Sequence, residues 1–278
     1  MRSLYPLFIL VLIVACAGFT STAFAQSCPC TIWSQSTVPG SVDGGDPAAG
    51  EYGLKFQTST NGYIFGIRFY KSAANTGTHV GNLWSNSGAL LASAVFTNES
   101  VSGWQQVTFS SPVAVTAGVT YVASYFTPSG HYSFNGDFFT SNVVSGPLVA
   151  LADGADGPNA VYAYGSSSSF PTSTYGASNY WVDVVFDTTL APKVVSFAPS
   201  GLNVALSVPV TATFSEPVDP STVNSTTFEL LDGNNAAVSA AVTYNAGTQT
   251  ATLQPSVTLL NATSIQLSWS VVREESGI

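Results

Sequence analysis

The chain has 278 residues, with 15 Asp and Glu against 6 Lys and Arg, and only 8% of its residues are charged. This acidic balance argues against a nucleic-acid partner, because neutralising phosphates requires clustered cations. Low charge with 45% hydrophobic residues also argues against intrinsic disorder, which needs low hydrophobicity and high charge.

The first 25 residues have the pattern of a secretory signal peptide. Arg2 precedes the apolar run 7–14, and residues 23–25 form an A-x-A cleavage site, so cleavage before Gln26 would release a secreted chain. Small residues directly before Cys16 fit an alternative, a lipoprotein signal that would leave the chain lipid-anchored at that cysteine. The apolar run is too short for a stable membrane span, so we expect no span after cleavage.

Two cysteines follow closely in the stretch SCPCT, at Cys28 and Cys30. A disulfide between them would close a small, strained ring around Pro29, although an oxidising compartment permits it. An intermolecular link and two free thiols are the alternatives. Two cysteines make a poor zinc site, because structural zinc normally takes four ligands.

Alternating apolar and polar residues predict β-strands across residues 26–187. In YIFGIRFYK, the side chains of Phe65, Ile67 and Phe69 share one face, and Arg68 lies on the other, where it either pairs with an acid inside the sandwich or faces solvent. Further alternating runs are Leu90 to Phe96, Trp104 to Phe109, Val119 to Phe126 and Tyr180 to Phe186. Turn signals separate them, so we predict a jelly-roll or galactose-binding-like β-sandwich.

The amino-acid composition changes near Asp187, where two prolines appear and aromatic residues become scarce. We interpret residues 188–192 as a linker and 193–278 as a second module. Two alternating runs there predict a small immunoglobulin-like β-sandwich, so the whole chain is predicted to be all-β. The apolar positions of these runs are Val208, Val210, Ala212 and Phe214, and then Ile265, Leu267, Trp269 and Val271.

The stretch YGLKFQTSTNGYIFGIRFYKSAANTGTHVGNLW, with the later GPNAVYAYG and SNYWVDVVF, resembles the bacterial extracellular domain of unknown function DUF4082. The resemblance covers roughly residues 28–187 and includes many motifs in the same order. It implies a secreted β-sandwich module of multidomain surface or exported proteins, and it implies no particular activity.

The stretch APKVVSFAPSGLNVALSVPVTATFSEPVDP, and the chain after it, resembles bacterial immunoglobulin-like domains of the S-layer-protein (SbsA-like) type. Such domains are spacers or adhesive stalk units. The chain departs from that family at SWSVVREESGI, where a further strand and a closing Asp-x-x-Gly-Asn stretch would follow. We therefore expect this domain to be incomplete at its C-terminal end.

No familiar catalytic motif occurs in the chain: it has no G-x-S-x-G elbow, no H-E-x-x-H and no phosphate-binding glycine loop. We therefore predict a non-catalytic secreted or cell-surface module with the immunoglobulin-like domain as a spacer. The alternatives are a polysaccharide-active enzyme whose carboxylate pair the sequence does not reveal, and a purely structural adhesion protein.

Aromatic residues beside turns are the candidate ligand-binding residues. A shallow aromatic platform suits glycans, because sugar rings present apolar faces and hydroxyl edges. We expect the exposed rim near His79 and Trp84 to contribute, and we expect Trp104 and Trp181 in the core. The candidates are Trp84, His131, Tyr132, Tyr162, Tyr164 and His79.

Two loops rich in carboxylates suggest a structural calcium ion, and we expect no other cofactor. Calcium takes six to eight oxygen ligands in adaptable geometry, so acids from both loops and from the last strand could hold one ion. The alternative is ordinary turn chemistry of Asp-Gly and Asp-Pro sequences. The candidate ligands are Asp43, Asp46 and Glu51, then Asp153 and Asp156, and Asp183.

Overall fold

The structure is a computed structural model that describes residues 28–190, 192–200, 208–232, 234 and 236–256, and the backbone of 266–269. The expected signal segment 1–25, with Cys16, and the C-terminal stretch 270–278 lie outside the described residues. The described residues form β-strands and one short 3₁₀ helix at Pro220–Thr222. Within these ranges no helix has the length and apolarity that crossing a membrane requires.

The first domain is built from two antiparallel sheets. Its strands are β1 (Gly50–Thr58), β2 (Gly62–Lys71), β3 (Val80–Ser85), β4 (Leu90–Val95), β5 (Gly103–Val115), β6 (Tyr121–Thr127), β7 (Val143–Ser145), β8 (Leu148–Ala150), β9 (Val161–Tyr164), β10 (Ser173–Thr174) and β11 (Val182–Asp187). The larger sheet has the order β10-β9-β1-β6-β3-β4, with β8 also paired to β1 and β7 paired to β8. The smaller sheet has the order β11-β2-β5.

The core lies between these sheets and is rich in aromatic rings. Phe69 of β2 stacks on Tyr125 of β6 with the ring centroids 4.0 Å apart, which joins the two layers. Phe56 of β1 and Phe186 of β11 are fully buried in the same core. The predicted β-sandwich is therefore confirmed.

A register shift in β2 corrects one detail of the predicted pattern. The pairing of β2 with β5 shifts between Ile64 and Gly66, so Ile64 is fully buried and Phe65 is only partly buried. A Cβ on Gly66 would lie 2.0 Å from the carbonyl oxygen of Val107, so this position beside the bulge requires glycine. The expectation that Phe65 shares the core face with Ile67 is wrong, because Phe65 is one extra residue in the pairing of β2 with β11 and reverses the alternation.

The N-terminal segment is attached to the edge of the smaller sheet. Cys30 exchanges two backbone hydrogen bonds with Phe186 of β11. The sulfur atoms of Cys28 and Cys30 are joined in a disulfide, so of the three alternatives the structure has the intramolecular link. Ile32 and Trp33 continue along β11, where their backbone N–H groups donate to the carboxylate of Asp183.

The second domain also consists of two sheets. The strands are β12 (Val194–Ala198), β13 (Val210–Phe214), β14 (Phe228–Leu231), β15 (Ala240–Asn245), β16 (Thr250–Pro255) and β17 (Gln266–Trp269). A four-stranded sheet has the order β12-β13-β16-β15, and β14 pairs with β17. The core of this domain contains Ala212, Phe214, Phe228, Leu230 and Leu253, which confirms the alternation predicted from Val210 to Phe214.

Candidate functional site

A pocket of ≈ 380 Å³ in the first domain is lined almost entirely by aromatic side chains. Tyr52 of β1 and Tyr162 of β9 are register partners in adjacent strands, so their side chains share one face of the larger sheet. The other aromatic residues come from the end of β9 and from loops. The lining residues are Gly44, Tyr52, Tyr132, Phe134, Tyr162, Tyr164, Tyr175, Ser178 and Tyr180.

The pocket tyrosines include nearly parallel and steeply inclined ring pairs, and Tyr52 and Tyr162 are inclined by only 16°. Tyr180 makes interplanar angles of 61° with Tyr52, 86° with Tyr132 and 73° with Tyr162, at centroid distances of 5.3–6.2 Å. Tyr52 and Tyr132 lie closer to parallel, with centroids 4.2 Å apart and planes inclined by 32°. Tyr164 is inclined by 73° to Tyr162. The pocket therefore has walls on several sides and is not a flat platform.

The surroundings of four pocket tyrosines raise the pKa values of their hydroxyl groups. Burial raises the pKa of Tyr52, Tyr132 and Tyr180 above the ordinary value near 10. The pKa of Tyr164 is raised chiefly by its hydrogen bond to the Asp46 carboxylate, which Tyr164 donates at 2.5 Å. Tyr52 is 1% exposed, and its hydroxyl has no hydrogen-bond partner within the described part of the chain.

Carboxylates lie at the rim of the pocket. Asp46 accepts the Tyr164 hydroxyl and the backbone N–H of Ala48, and its carbonyl oxygen accepts the N–H of His131 at 2.6 Å. The side chain of His131 contacts Asp43, with Nδ1 3.0 Å from one carboxylate oxygen. His131 has a positive φ of 53°, so this tight turn places Tyr132 directly beside the pocket.

Three of the predicted ligand-binding residues meet in this pocket: Tyr132, Tyr162 and Tyr164. His131 lies at its rim through the contact with Asp43. Sequence reasoning missed the other aromatic lining residues, which are Tyr52, Phe134, Tyr175 and Tyr180. Period-two alternation does place Tyr52 on the face of Leu54 and Phe56, but it does not reveal that this end of the face borders a pocket.

His79 does not lie on an exposed rim, and that expectation is wrong. Its ring is fully buried, with Nδ1 2.8 Å from Glu99 Oε1 and Nε2 2.7 Å from Asn75 Oδ1. Burial lowers the pKa of His79, whereas the contact with Glu99 raises it. Glu99 also accepts a 2.7 Å hydrogen bond from Lys71, so this histidine joins loops to the end of β2.

Trp84 is also buried, at 7% exposure, and it does not line the pocket. Its ring packs edge-on against Phe170 with centroids 5.7 Å apart, and its Nε1 donates to Ser124 Oγ at 2.7 Å. The loop 165–172, between β9 and β10, carries Phe170 over this face of the larger sheet. The expectation of an exposed Trp84 is wrong because this loop covers the outer face of the strand.

The carboxylates of the predicted calcium site are engaged in separate contacts. Asp153 accepts the N–H of Asn159, and Asp156 accepts a side-chain hydrogen bond from Asn86. Asp43 and Asp46 lie at the rim of the tyrosine pocket, each also bonded within its own turn. In the described ranges no three His, Cys, Asp or Glu side chains are grouped so that they could hold a metal ion.

Glu51, which the sequence analysis assigned to the first loop, lies in β1 and is fully buried beneath the loop 165–172. Its carboxylate accepts hydrogen bonds from Ser124 Oγ at 2.6 Å, Asn82 Nδ2 at 2.8 Å and Ser168 Oγ at 2.8 Å. Burial raises the pKa of Glu51, and these donors oppose the rise. These hydrogen bonds join Glu51 to β3, to β6 and to the covering loop.

Asp183, the last calcium candidate, forms a buried ion pair. Its Oδ2 lies 3.2 Å from Nη1 of Arg68, and both side chains are almost inaccessible to solvent. Arg68 also lies over the Trp104 ring, 4.6 Å from the centroid, and donates to Gln35. Of the two predicted alternatives for Arg68, the structure has the pairing with an acid, but not inside the sandwich. The pair lies on the face of β2 opposite Phe69, where Trp33 and Gln35 of the N-terminal segment cover it.

The described residues form two β-sandwich domains, and the first contains a pocket lined mainly by aromatic side chains. Residues 36–182 match the family model described as a domain of unknown function (DUF4082), which covers more than half of the chain, and the chain belongs to this family. Residues 188–270 match the model of a bacterial Ig-like domain. No protein of curated function proved similar to this chain. An Ig-like domain beside a domain of unknown function indicates a non-enzymatic module.

Proposed function

We propose that this protein is a non-catalytic secreted or cell-surface module that binds a ligand in the tyrosine-lined pocket and uses the immunoglobulin-like domain as a spacer. The observation that carries the proposal is the pocket itself. Its volume of ≈ 380 Å³ lies within the range of small-ligand sites, and such sites are typically lined by aromatic side chains with a few polar groups.

The pocket supports binding better than catalysis. Among the residues that line it, none carries a carboxylate, an imidazole, a thiol or an amine. The two buried carboxylates with raised pKa values, Glu51 and Asp183, accept hydrogen bonds within their own networks. Neither residue lines the pocket, so neither is placed to act on a ligand there.

A glycan of a cell-surface polymer is the ligand that the sequence predicts, and the pocket chemistry supports it. Aromatic rings pack against the C–H faces of a sugar, while tyrosine hydroxyls and a carboxylate can bond its hydroxyl edge. Tyr132, Tyr162 and Tyr164 provide such rings, and Asp46 provides the carboxylate. Export is supported by the N-terminal signal pattern and by the disulfide between Cys28 and Cys30.

Glycan arrays followed by isothermal titration calorimetry test this proposal. Tyr175 is 69% exposed, so Tyr175→Ala removes one wall of the pocket without opening the core, and we expect it to weaken binding. Phe197→Ala is the matched control, since Phe197 is 60% exposed and lies in the second domain. Equal binding by the wild type and both variants would place the site elsewhere.

A further inference from the structure

We propose that the tyrosine pocket selects an organic cation, an alkylammonium group such as trimethylammonium. This inference rests on the proposed function, because it assumes that the pocket is the binding site. The group is carried either by a free small molecule or as a substituent of a surface polymer, and a glycan bearing it would satisfy both proposals.

The arrangement of the rings is the first argument. Cations are attracted to the electron-rich faces of aromatic rings within about 6 Å, and sets of such rings are used to recognise quaternary ammonium groups. Tyr180 stands at 61° to Tyr52 and 86° to Tyr132, so ring walls meet at steep angles around one volume. Tyr52 and Tyr162 are nearly parallel, at 16°, so it is Tyr180 that adds the steep walls to this surface.

The charge around the pocket is the second argument. The lining includes no Lys, Arg or His among the described residues, and a carboxylate lies directly behind one wall. Asp46 Oδ2 accepts the Tyr164 hydroxyl at 2.5 Å, which increases the electron density of that ring. Asp43 adds a second carboxylate at the rim, although His131 contacts it. The chain as a whole has a net charge of −9, which favours the approach of a cation.

The hydroxyl of Tyr52 is the third argument. Tyr52 lines the pocket and is 1% exposed, yet its hydroxyl has no hydrogen-bond partner among the described residues. Buried polar groups are normally paired, and an unpaired one costs free energy. Solvent does not reach this hydroxyl, so a ligand with a polar end beside its cationic head, such as a hydroxyethyl chain, would supply that partner after a movement of the surrounding rings.

Choline and its neutral isostere 3,3-dimethylbutan-1-ol separate charge from shape, because the two molecules differ mainly in replacing nitrogen by carbon. We expect calorimetry on the full chain to give choline at least roughly tenfold tighter binding than the isostere, the preference that two or three ring faces provide. Tetramethylammonium should compete with choline. Asp46→Asn keeps an oxygen acceptor in the turn and should weaken choline binding while leaving the isostere unchanged.

One pocket variant and one control variant accompany these measurements. Tyr175→Ala should reduce choline binding, and Asp219→Asn should not, because Asp219 is an exposed carboxylate of the second domain. Retention of the chain on a choline-substituted polymer, and its release by free choline, would identify a polymer as the source. Tighter binding of the free compound, without retention, would identify a small molecule.

The outcomes distinguish the two proposals. Equal affinity for choline and the isostere, or binding of neutral sugars without competition by choline, would overturn the cation inference and leave the pocket as a binding site. No binding of choline, the isostere or any glycan would overturn both proposals. A choline affinity that Tyr175→Ala and Asp46→Asn leave unchanged would also overturn the inference, because the cation would then bind elsewhere.

Discussion

Asp183→Ala tests the buried ion pair that joins three segments of the first domain. The carboxylate is inaccessible to solvent and lies opposite Arg68 in the register of β11 with β2. It accepts N–H groups from Ile32 at 2.8 Å, Trp33 at 3.2 Å and Val184 at 2.8 Å. Alanine removes the acceptor of all three donors and leaves the Arg68 guanidinium buried without its counter-ion.

The expected loss follows from these contacts. Breaking a buried pair by removing one partner costs about 3–5 kcal/mol, and each buried donor left unpaired costs about 1–3 kcal/mol. Arg68 keeps its position over the Trp104 ring and its bonds to Trp33 O and Gln35, so its charge retains some stabilisation. We therefore expect the free energy of unfolding to fall by about 3–5 kcal/mol, a large share of the stability of a typical domain.

Urea unfolding followed by tryptophan fluorescence measures this loss, because Trp33, Trp104 and Trp181 lie around the pair. The measurement belongs at pH 8, since burial raises the pKa of Asp183 to about 7 and the carboxylate is then ionised. Glu216→Ala, which removes an exposed carboxylate, is the matched control and should change stability by less than about 0.5 kcal/mol. A loss below about 1 kcal/mol for Asp183→Ala would refute the reasoning.

Three further predictions concern the same domain. The pKa of Asp183 is near 7 in the folded state and about 3.9 in the unfolded state, so the folded state binds the proton more tightly. The contribution of Asp183 to the free energy of unfolding is therefore greatest in acid and falls by about 1.4 kcal/mol per pH unit as pH rises from 4 to 7. The difference in free energy of unfolding between the wild type and Asp183→Asn, measured with urea at several pH values, should show this slope. Gly130→Ala should lower the melting temperature, because Gly130 has φ +63° and the added Cβ would lie 2.2 Å from Asp46 O; an unchanged melting temperature would contradict the geometry. Phe170→Ala should expose Trp84 and increase acrylamide quenching of fluorescence, and equal quenching would show that Phe170 does not cover it.

The sequence predicted the strands well where one face is buried and the other is not. Alternation correctly marked the strand around Ile67 and placed Trp181 in the core, at 3% exposure. It failed at Phe65, because Phe65 is one extra residue in the pairing of β2 with β11, and such a shift reverses every side chain on one side of it. Whether a strand bulges depends on its partner, here the close approach of the Val107 carbonyl to Gly66, and the sequence of one strand does not contain that information.

Prediction of the pocket was partial for a related reason. The position of tyrosines beside turns pointed to Tyr132, Tyr162 and Tyr164, and these three residues do line the pocket; that they bind a ligand stays a prediction. Tyr52 and Tyr180 join them only because β1 pairs with β9 and the chain returns beside Tyr132 before β11. The sequence around each tyrosine does not indicate that these residues meet in the folded domain. Trp84 was wrongly predicted to be exposed, because Phe170 of the loop 165–172 covers it.

The sequence by itself determined the class of this molecule: two all-β sandwich domains in an acidic chain, the first in the DUF4082 family. Alternation, turn residues and net charge are local or additive properties, so they can be read without the fold. The tertiary structure alone decided that Arg68 is paired with Asp183, that His79 and Trp84 are buried, and that tyrosines from separate segments enclose one pocket. These features depend on which distant segments meet, and strand pairing sets that across the whole domain.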